Sequence, residues 1–269
     1  MRAFSSSNSI LRRVKGRVSY TGDTRTIGHP MNSILALLDA RFSTRTYAET
    51  EITAAEKAAI LHGAMRAPTG GNMMLYSIIE VTDQALKDRL ADTCDDQPFI
   101  AKAPLVLVFV ADMQKWIDLF RFSRVEEVEG VEHRMIPDLG DLMLACSDAL
   151  IAAQNAAVAA ESLGIGSCYI GDVLENGEIH AELLGLPQHT LPIAMLCFGH
   201  PATMREPTPH YEKHMVHQNA YHRLTEEELA EVSDELGQMH SPHGFGPGIA
   251  NIGQQVYKRK FTPAFMTEM

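Results

Sequence analysis

Cysteine is scarce in this chain of 269 residues: Cys94, Cys146, Cys168 and Cys197 lie far apart and form no CxxC pair. That spacing argues against a structural zinc site and a disulfide framework, and it suits a reducing, cytoplasm-like compartment. Catalytic signatures of several common classes are missing as well. The chain has no GxSxG elbow, no GxGxxG fingerprint, no Walker loop and no HExxH pair, which leaves serine-nucleophile, Rossmann-type, P-loop and zincin chemistry without a motif. Apolar runs are short. The longest, residues 104–111, has the length of a strand and falls well below the ~20 residues of a membrane-spanning helix. Positive charge is in shortest supply outside the first 30 residues. Those 30 carry six Lys/Arg and one Asp, leaving 17 basic and 33 acidic residues, a net of −16, for the remainder. So acidic a body disfavours nucleic acid as a partner, because phosphate neutralisation dominates that affinity.

The basic head, residues 1–30, is rich in Ser and Arg and lacks the apolar centre of a secretory signal. Its composition is shared by mitochondrial transit peptides, but a flexible extension is the favoured reading. The folded body is expected over residues 31–237 and a C-terminal arm over 238–269. That arm keeps Val256, Tyr257, Phe261 and Phe265 among its glycines and prolines, more large apolar residues than a disordered tail retains. It is expected to pack against a partner subunit.

Within the body, Thr53 and Glu56 have capping-box spacing and open an alanine-rich helix that Pro68 prevents from continuing. Residues 75–81 and 104–112 read as strands covered on both faces, with a polar, helix-compatible stretch between them. Residues 117–136 read as a charged, irregular excursion or lid before Pro137. Residues 138–163 carry the longest helical signal, apolar on more than one face, which suits a buried helix about 38 Å long at ~1.5 Å per residue and the spine of a dimer. Gly164 terminates it, and residues 165–171 and 191–201 supply two further strands. Thr225 and Glu228 repeat the capping box for a helix over 226–236 that Gly237 ends.

Three stretches carry candidate chemistry. In RFSTRTY, residues 41–47, an extended backbone puts Arg41, Ser43 and Arg45 on one face, so three donors converge on one anion, for which a phosphate is the natural guest. In APTGGN, residues 67–72, the glycines permit close backbone approach to a ligand and the Asn72 carboxamide both donates and accepts. In YIGDV, residues 169–173, Gly171 closes a strand. A fourth stretch sets His210, His214 and His217 at i, i+4 and i+7. On a helix these would share a face able to bind zinc, but Pro207 and Pro209 interrupt the helix start, and no metal is expected.

RFSTRTY, RAPTGGNMMLYSIIEV, APLVLVFVAD, AAQNAAVAAESLGIGSCYIGDV and LPIAMLCFGHP, taken in this order, resemble the nitroreductase family of FMN-dependent oxidoreductases over most of residues 31–201. The resemblance implies an α+β fold, with a mixed central sheet flanked by helices, in an intertwined homodimer with FMN at the subunit interface. It implies that Arg41 and Ser43 hold the FMN phosphate and that Arg45 lies near the flavin pyrimidine edge. Phe42 stands where a second basic residue is common. Pro68, Thr69, Gly70 and Asn72 would meet the ribityl chain and ring, often from the other subunit. Ile170 and Gly171 would run beside the isoalloxazine, with the Gly171 N–H near N5. A late basic residue would join the phosphate, with Arg205, His210 and Lys213 as candidates. NMMLYS replaces the frequent Asn-x-Gln-Pro-Trp run. The activity implied is ping-pong hydride transfer from NADH or NADPH, through flavin N5, to an acceptor such as a nitroaromatic or a quinone. No side chain acts as catalytic acid or base. The alternatives are a specialised flavin enzyme of the same fold, a dehalogenase or metabolite dehydrogenase, and a non-catalytic flavin-binding protein.

Overall fold

A computed structural model describes residues 33–134, 136–207 and 210–262. The basic head and Phe265 lie outside the described residues. Four strands carry the centre: β1 (Tyr76–Glu80), β2 (Leu105–Asp112), β3 (Gly166–Ile170) and β4 (Thr190–Gly199), in the order β1-β2-β4-β3 with every neighbouring pair antiparallel. Among the described residues, the expected mixed character enters only through a bridge, where Ser43 pairs in parallel with Ser167 at the β3 edge.

All eight residues of β2 are buried, and its two faces feed different cores. Leu105, Leu107, Phe109 and Ala111 pack with Ile60, Ala64 and a row of alanines, while Val106, Val108 and Val110 pack with Leu90, Ile100, Cys168 and Met195. This explains the uninterrupted apolar run: a central strand covered on both faces has no solvent side for polar residues. The first core lies under α2 (Ala54–Met65) and α6 (Leu139–Ser162); the second lies under α3 (Gln84–Thr93) and α4 (Pro98–Ala101).

Helix α6 is the central support. Its alanines at 145, 149, 152, 153, 156 and 160 are fully buried, and their small size brings the helix close to sheet and neighbour alike. Against α2 the fit is tight enough that a Cβ on Gly63 would stand 2.7 Å from the Ala159 Cβ. By length and composition α6 could cross a membrane, a property the short apolar runs of the sequence conceal; here it packs on the sheet. It ends in a Schellman motif, with the Ile165 N–H bonded to Ala160 O at 3.0 Å and the Gly164 N–H to Glu161 O at 3.0 Å. Gly164 adopts φ 76°, the left-handed position that closes such a helix. Both expected capping boxes form, Thr53 with Glu56 and Thr225 with Glu228.

Two expectations require correction. Residues 117–122, read as the start of an irregular lid, belong to helix α5 (Gln114–Phe122); its charged outer face hides the buried Ile117 and the inward Trp116. Gly237 does not end its helix, which runs over Glu226–His240. It is buried under Phe245, whose ring would meet an added Cβ at 3.2 Å, so this glycine serves a close approach and the helix passes through the 237/238 boundary.

Candidate functional site

After a short helix, Ser33–Ala40, the chain turns extended and is stitched to the sheet edge. Thr44 N–H donates to Ser167 O at 3.0 Å, Ala48 N–H to His200 O at 2.8 Å, and Ala202 N–H to Thr46 O at 3.0 Å. Burial alternates as an extended segment requires: Phe42 and Thr44 are 9% and 2% exposed, whereas Arg41 and Ser43 are half-buried and Arg45 is exposed. The close seat depends on Gly166, because a Cβ there would collide with the Thr44 hydroxyl.

Phe42, Ser43, Thr44 and Arg45 line a small cleft together with Thr203 and Arg205. Of the late basic candidates, Arg205 is therefore the one brought to this edge. Lys213 is held elsewhere, 2.5 Å from Glu231 and 3.0 Å from Glu235, and His210 is exposed and lines no part of the cleft. The Arg45 guanidinium lies over the Phe99 ring, 5.8 Å from its centroid. Glu161 belongs to the same corner. Burial pushes its carboxyl up to about 7, against the opposing pull of the Arg41 guanidinium and of the Ser167 N–H, and its Oε1 is buried without a hydrogen-bond partner.

The APTGGN loop lies across the sheet. Gly71 (φ 58°), Asn72 (φ 57°) and Met74 (φ 53°) are left-handed, and for the two non-glycine residues this costs on the order of 1–3 kcal/mol each. The surroundings hold the strained path. Asp148 on α6 accepts from Gly70 N–H at 2.9 Å and Leu75 N–H at 3.1 Å. From α5, the Trp116 Nε1–H donates to Met73 O at 2.8 Å, and Lys115 Nζ to Met74 O at 2.8 Å and Tyr76 O at 3.0 Å. Pro68, Gly71 and Asn72 are exposed, Thr69 and Gly70 half-buried. Gly70 faces Leu144, whose Cδ1 would be 2.8 Å from an added Cβ.

Ile170 pairs with Met195 and is 2% exposed, so its side chain belongs to the core and only its backbone can face a ligand. Gly171 is exposed, with open space where a Cβ would stand.

One protomer does not gather these groups. The loop leads into Tyr76 of β1, opposite Ala111, while the arginine edge pairs with Ser167 of β3, level with Phe198 and hence with Leu105. Six residues along β2 at ~3.4 Å and three strand spacings of ~4.8 Å separate the two by about 25 Å.

The histidine segment is irregular, not helical, so the shared face of His210, His214 and His217 does not form. His222 Nε2 instead lies 3.1 Å from Glu228, and His214 Nε2 3.7 Å from Glu231, docking the segment on the Glu226–His240 helix. Among the described residues no group of three His, Cys, Asp or Glu is arranged to hold a metal.

Sequence reasoning passed over Asp148, Glu161, Lys115 and Trp116. Asp148 had a legible signal. It is a lone acid at i+3 from Ala145 and i−4 from Ala152, on the buried face of an alanine-rich helix, where an unpartnered carboxylate is too costly to keep. Lys115 and Trp116 act through backbone carbonyls distant in sequence and leave no local pattern.

The sequence profile described as the Nitroreductase family matches residues 38–200. An oxygen-insensitive NADPH nitroreductase of Salmonella typhimurium is 32% identical over 215 residues, covering 80% of this chain and 85% of its own length. An FMN reductase (NADPH) of Bacillus subtilis is 34% identical over 199 residues, covering 73% and 77%. Among solved structures, nitroreductase A from Vibrio parahaemolyticus superposes with a TM-score of 0.72 at 26% identity, over 87% of this chain and 92% of its own.

Proposed function

The chain belongs to the nitroreductase family, and from that premise we propose that it is an FMN-dependent NAD(P)H oxidoreductase whose flavin lies between two copies of the chain. The relatives at 32% and 34% identity are a nitroreductase and an FMN reductase, which favours an enzyme over a passive flavin carrier. The donor set fits the phosphate end of the cofactor. A monoester close to a dianion offers three acceptor oxygens, and the cleft lined by Ser43, Arg45 and Arg205 supplies hydroxyl and guanidinium donors, with Arg41 next to it along the same extended segment.

The observation that carries the two-copy arrangement is the separation of about 25 Å between the arginine edge and the APTGGN loop. A separation of that size favours a site in which a second copy brings its loop to the first copy's arginine edge. Helix α6 offers a surface for that pairing. Leu139, Met143, Leu144, Leu150 and Ile151 are exposed along it, opposite its buried alanines, and large apolar residues grouped on one helix face suit an association surface.

The chemistry supplied by bound FMN is hydride carriage from NADH or NADPH to an electron-poor acceptor, such as a nitroaromatic or a quinone, in the two half-reactions of a ping-pong cycle. The chain's residues bind and tune. Arg41, Ser43 and Arg205 anchor the phosphate. The Arg45 guanidinium adds positive charge that favours an anionic reduced ring. Gly171 leaves room for close backbone approach, and Asn72 presents a carboxamide from the loop.

Stopped-flow mixing of the FMN-loaded protein with NADPH, and separately with NADH, tests the proposal. Bleaching of the flavin band followed by its return on adding a quinone is expected. Flavin that stays bound and unbleached by both nucleotides would remove the reductase reading in favour of a specialised flavin enzyme.

A further inference from the structure

Asp148 is 1% exposed, surrounded by alanines on the inner face of α6, yet carries a carboxylate. Burying an ionised group is expensive, and an apolar residue would serve packing better. What a carboxylate offers at this position is two acceptor oxygens and no donor. The structure uses both: Oδ1 takes the Gly70 N–H and Oδ2 the Leu75 N–H, the two ends of one loop. Between them lie the three left-handed residues and the exposed apex, Gly71 and Asn72. The carbonyls of the same stretch are taken from the other side by Lys115 and Trp116. The opposite face of the helix that carries Asp148 is the exposed apolar stripe of Leu139, Met143 and Leu150. The loop is thereby referenced to the surface on which a second copy would seat.

We propose that Asp148 is the positioning residue of the flavin site: its carboxylate fixes the loop of residues 69–75 to α6, so that pairing of two copies through α6 delivers the Gly71–Asn72 apex to the ring end of a flavin anchored on the other copy. This rests on the FMN reading above. Asp148 touches no reacting atom, and its influence passes through the loop backbone.

The test separates the ring end from the phosphate end. Asp148→Asn keeps the shape but turns an NH2 toward one of the two N–H donors. The full-length wild type and variant, both stripped of flavin, are titrated with FMN and with riboflavin, which lacks the phosphate. The variant should bind both ligands more weakly by the same factor, on the order of tenfold or more, leaving the FMN-to-riboflavin ratio at its wild-type value. Trp116→Phe, which removes the Nε1–H bond to the same loop, should show the same signature with a smaller factor and serves if the first variant does not fold. Leu90→Ala, in the core on the other side of the sheet, should lower the melting temperature and leave both affinities in place. Wild-type affinities in the loop variants, or an equal loss in Leu90→Ala, would overturn the proposal. A wild type that takes up neither ligand would overturn the FMN reading itself, and this inference with it.

Discussion

Replacing Arg41 by Ala removes one guanidinium from the edge formed by Ser43, Arg45 and Arg205, and the size of the effect follows from its surroundings. Arg41 is half-buried, so its bond to a phosphate is charge-assisted but not fully shielded, and a bond to a charged group contributes roughly 1.5–3 kcal/mol. That corresponds to a loss of about tenfold to a hundredfold in FMN affinity. Complete loss is not expected, because Ser43, Arg45 and Arg205 line the cleft beside it and remain in the variant. Riboflavin provides the control. Lacking the phosphate, it should bind the variant as it binds the wild type, within about twofold. Fluorescence titration of flavin-stripped protein with each ligand reads both numbers. An equal fall for FMN and riboflavin would mean that Arg41 acts on the ring end or on folding, and no change for either would remove Arg41 from the site.

Gly166→Ala should drive a Cβ into the Thr44 side chain and toward Pro201, prising the arginine segment off β3; overpacking of this kind costs about 1–3 kcal/mol. Urea unfolding reads the loss, and wild-type stability would show that the segment adapts freely. Glu161→Gln tests the raised carboxyl. Because burial lifts that group from its usual 4.5 to about 7, the folded protein holds a proton there that the unfolded chain has lost. The group's contribution to stability is therefore full below about pH 4.5 and falls as pH rises to about 7. Near pH 4 the variant should match the wild type, and at about pH 8 it should be more stable by on the order of 2 kcal/mol. Parallel stability curves across this range would show that Glu161 titrates normally.

Legibility tracked how local each cause was. The capping boxes at Thr53 and Thr225, the Schellman glycine at 164 and the doubly covered strand β2 are written in neighbouring residues, and each could be read before any coordinates. The alternation of Arg41, Ser43 and Arg45 was equally plain, since a period of two needs no tertiary context. Gly237 misled because a glycine in a helix can mean either an end or a close neighbour, and Phe245 supplies the neighbour from outside the helix. Helix α5 was hidden by charge, since its outer face outnumbers the side that buries Ile117 and turns Trp116 inward. That Arg205 and not Lys213 lies at the arginine edge depended on which acids the Glu226–His240 helix presents to the lysine, a matter of tertiary pairing. The distance between the two halves of the site depended on strand order, which no local pattern encodes.

The central claim is that each flavin site is shared, with the phosphate edge from one chain and the loop from the other, and mixing two crippled chains tests it most directly. Arg41→Ala lacks one of the phosphate anchors, and Gly70→Val disrupts the loop by forcing a side chain into Leu144. At an FMN concentration near the wild-type Kd, each alone should retain little FMN. Unfolded together and refolded as a mixture, they should form hybrid pairs in which one site carries both lesions and the other carries none, so bound flavin reappears. If the mixture holds no more FMN than the two variants measured separately, each chain builds its own site and the shared arrangement is wrong.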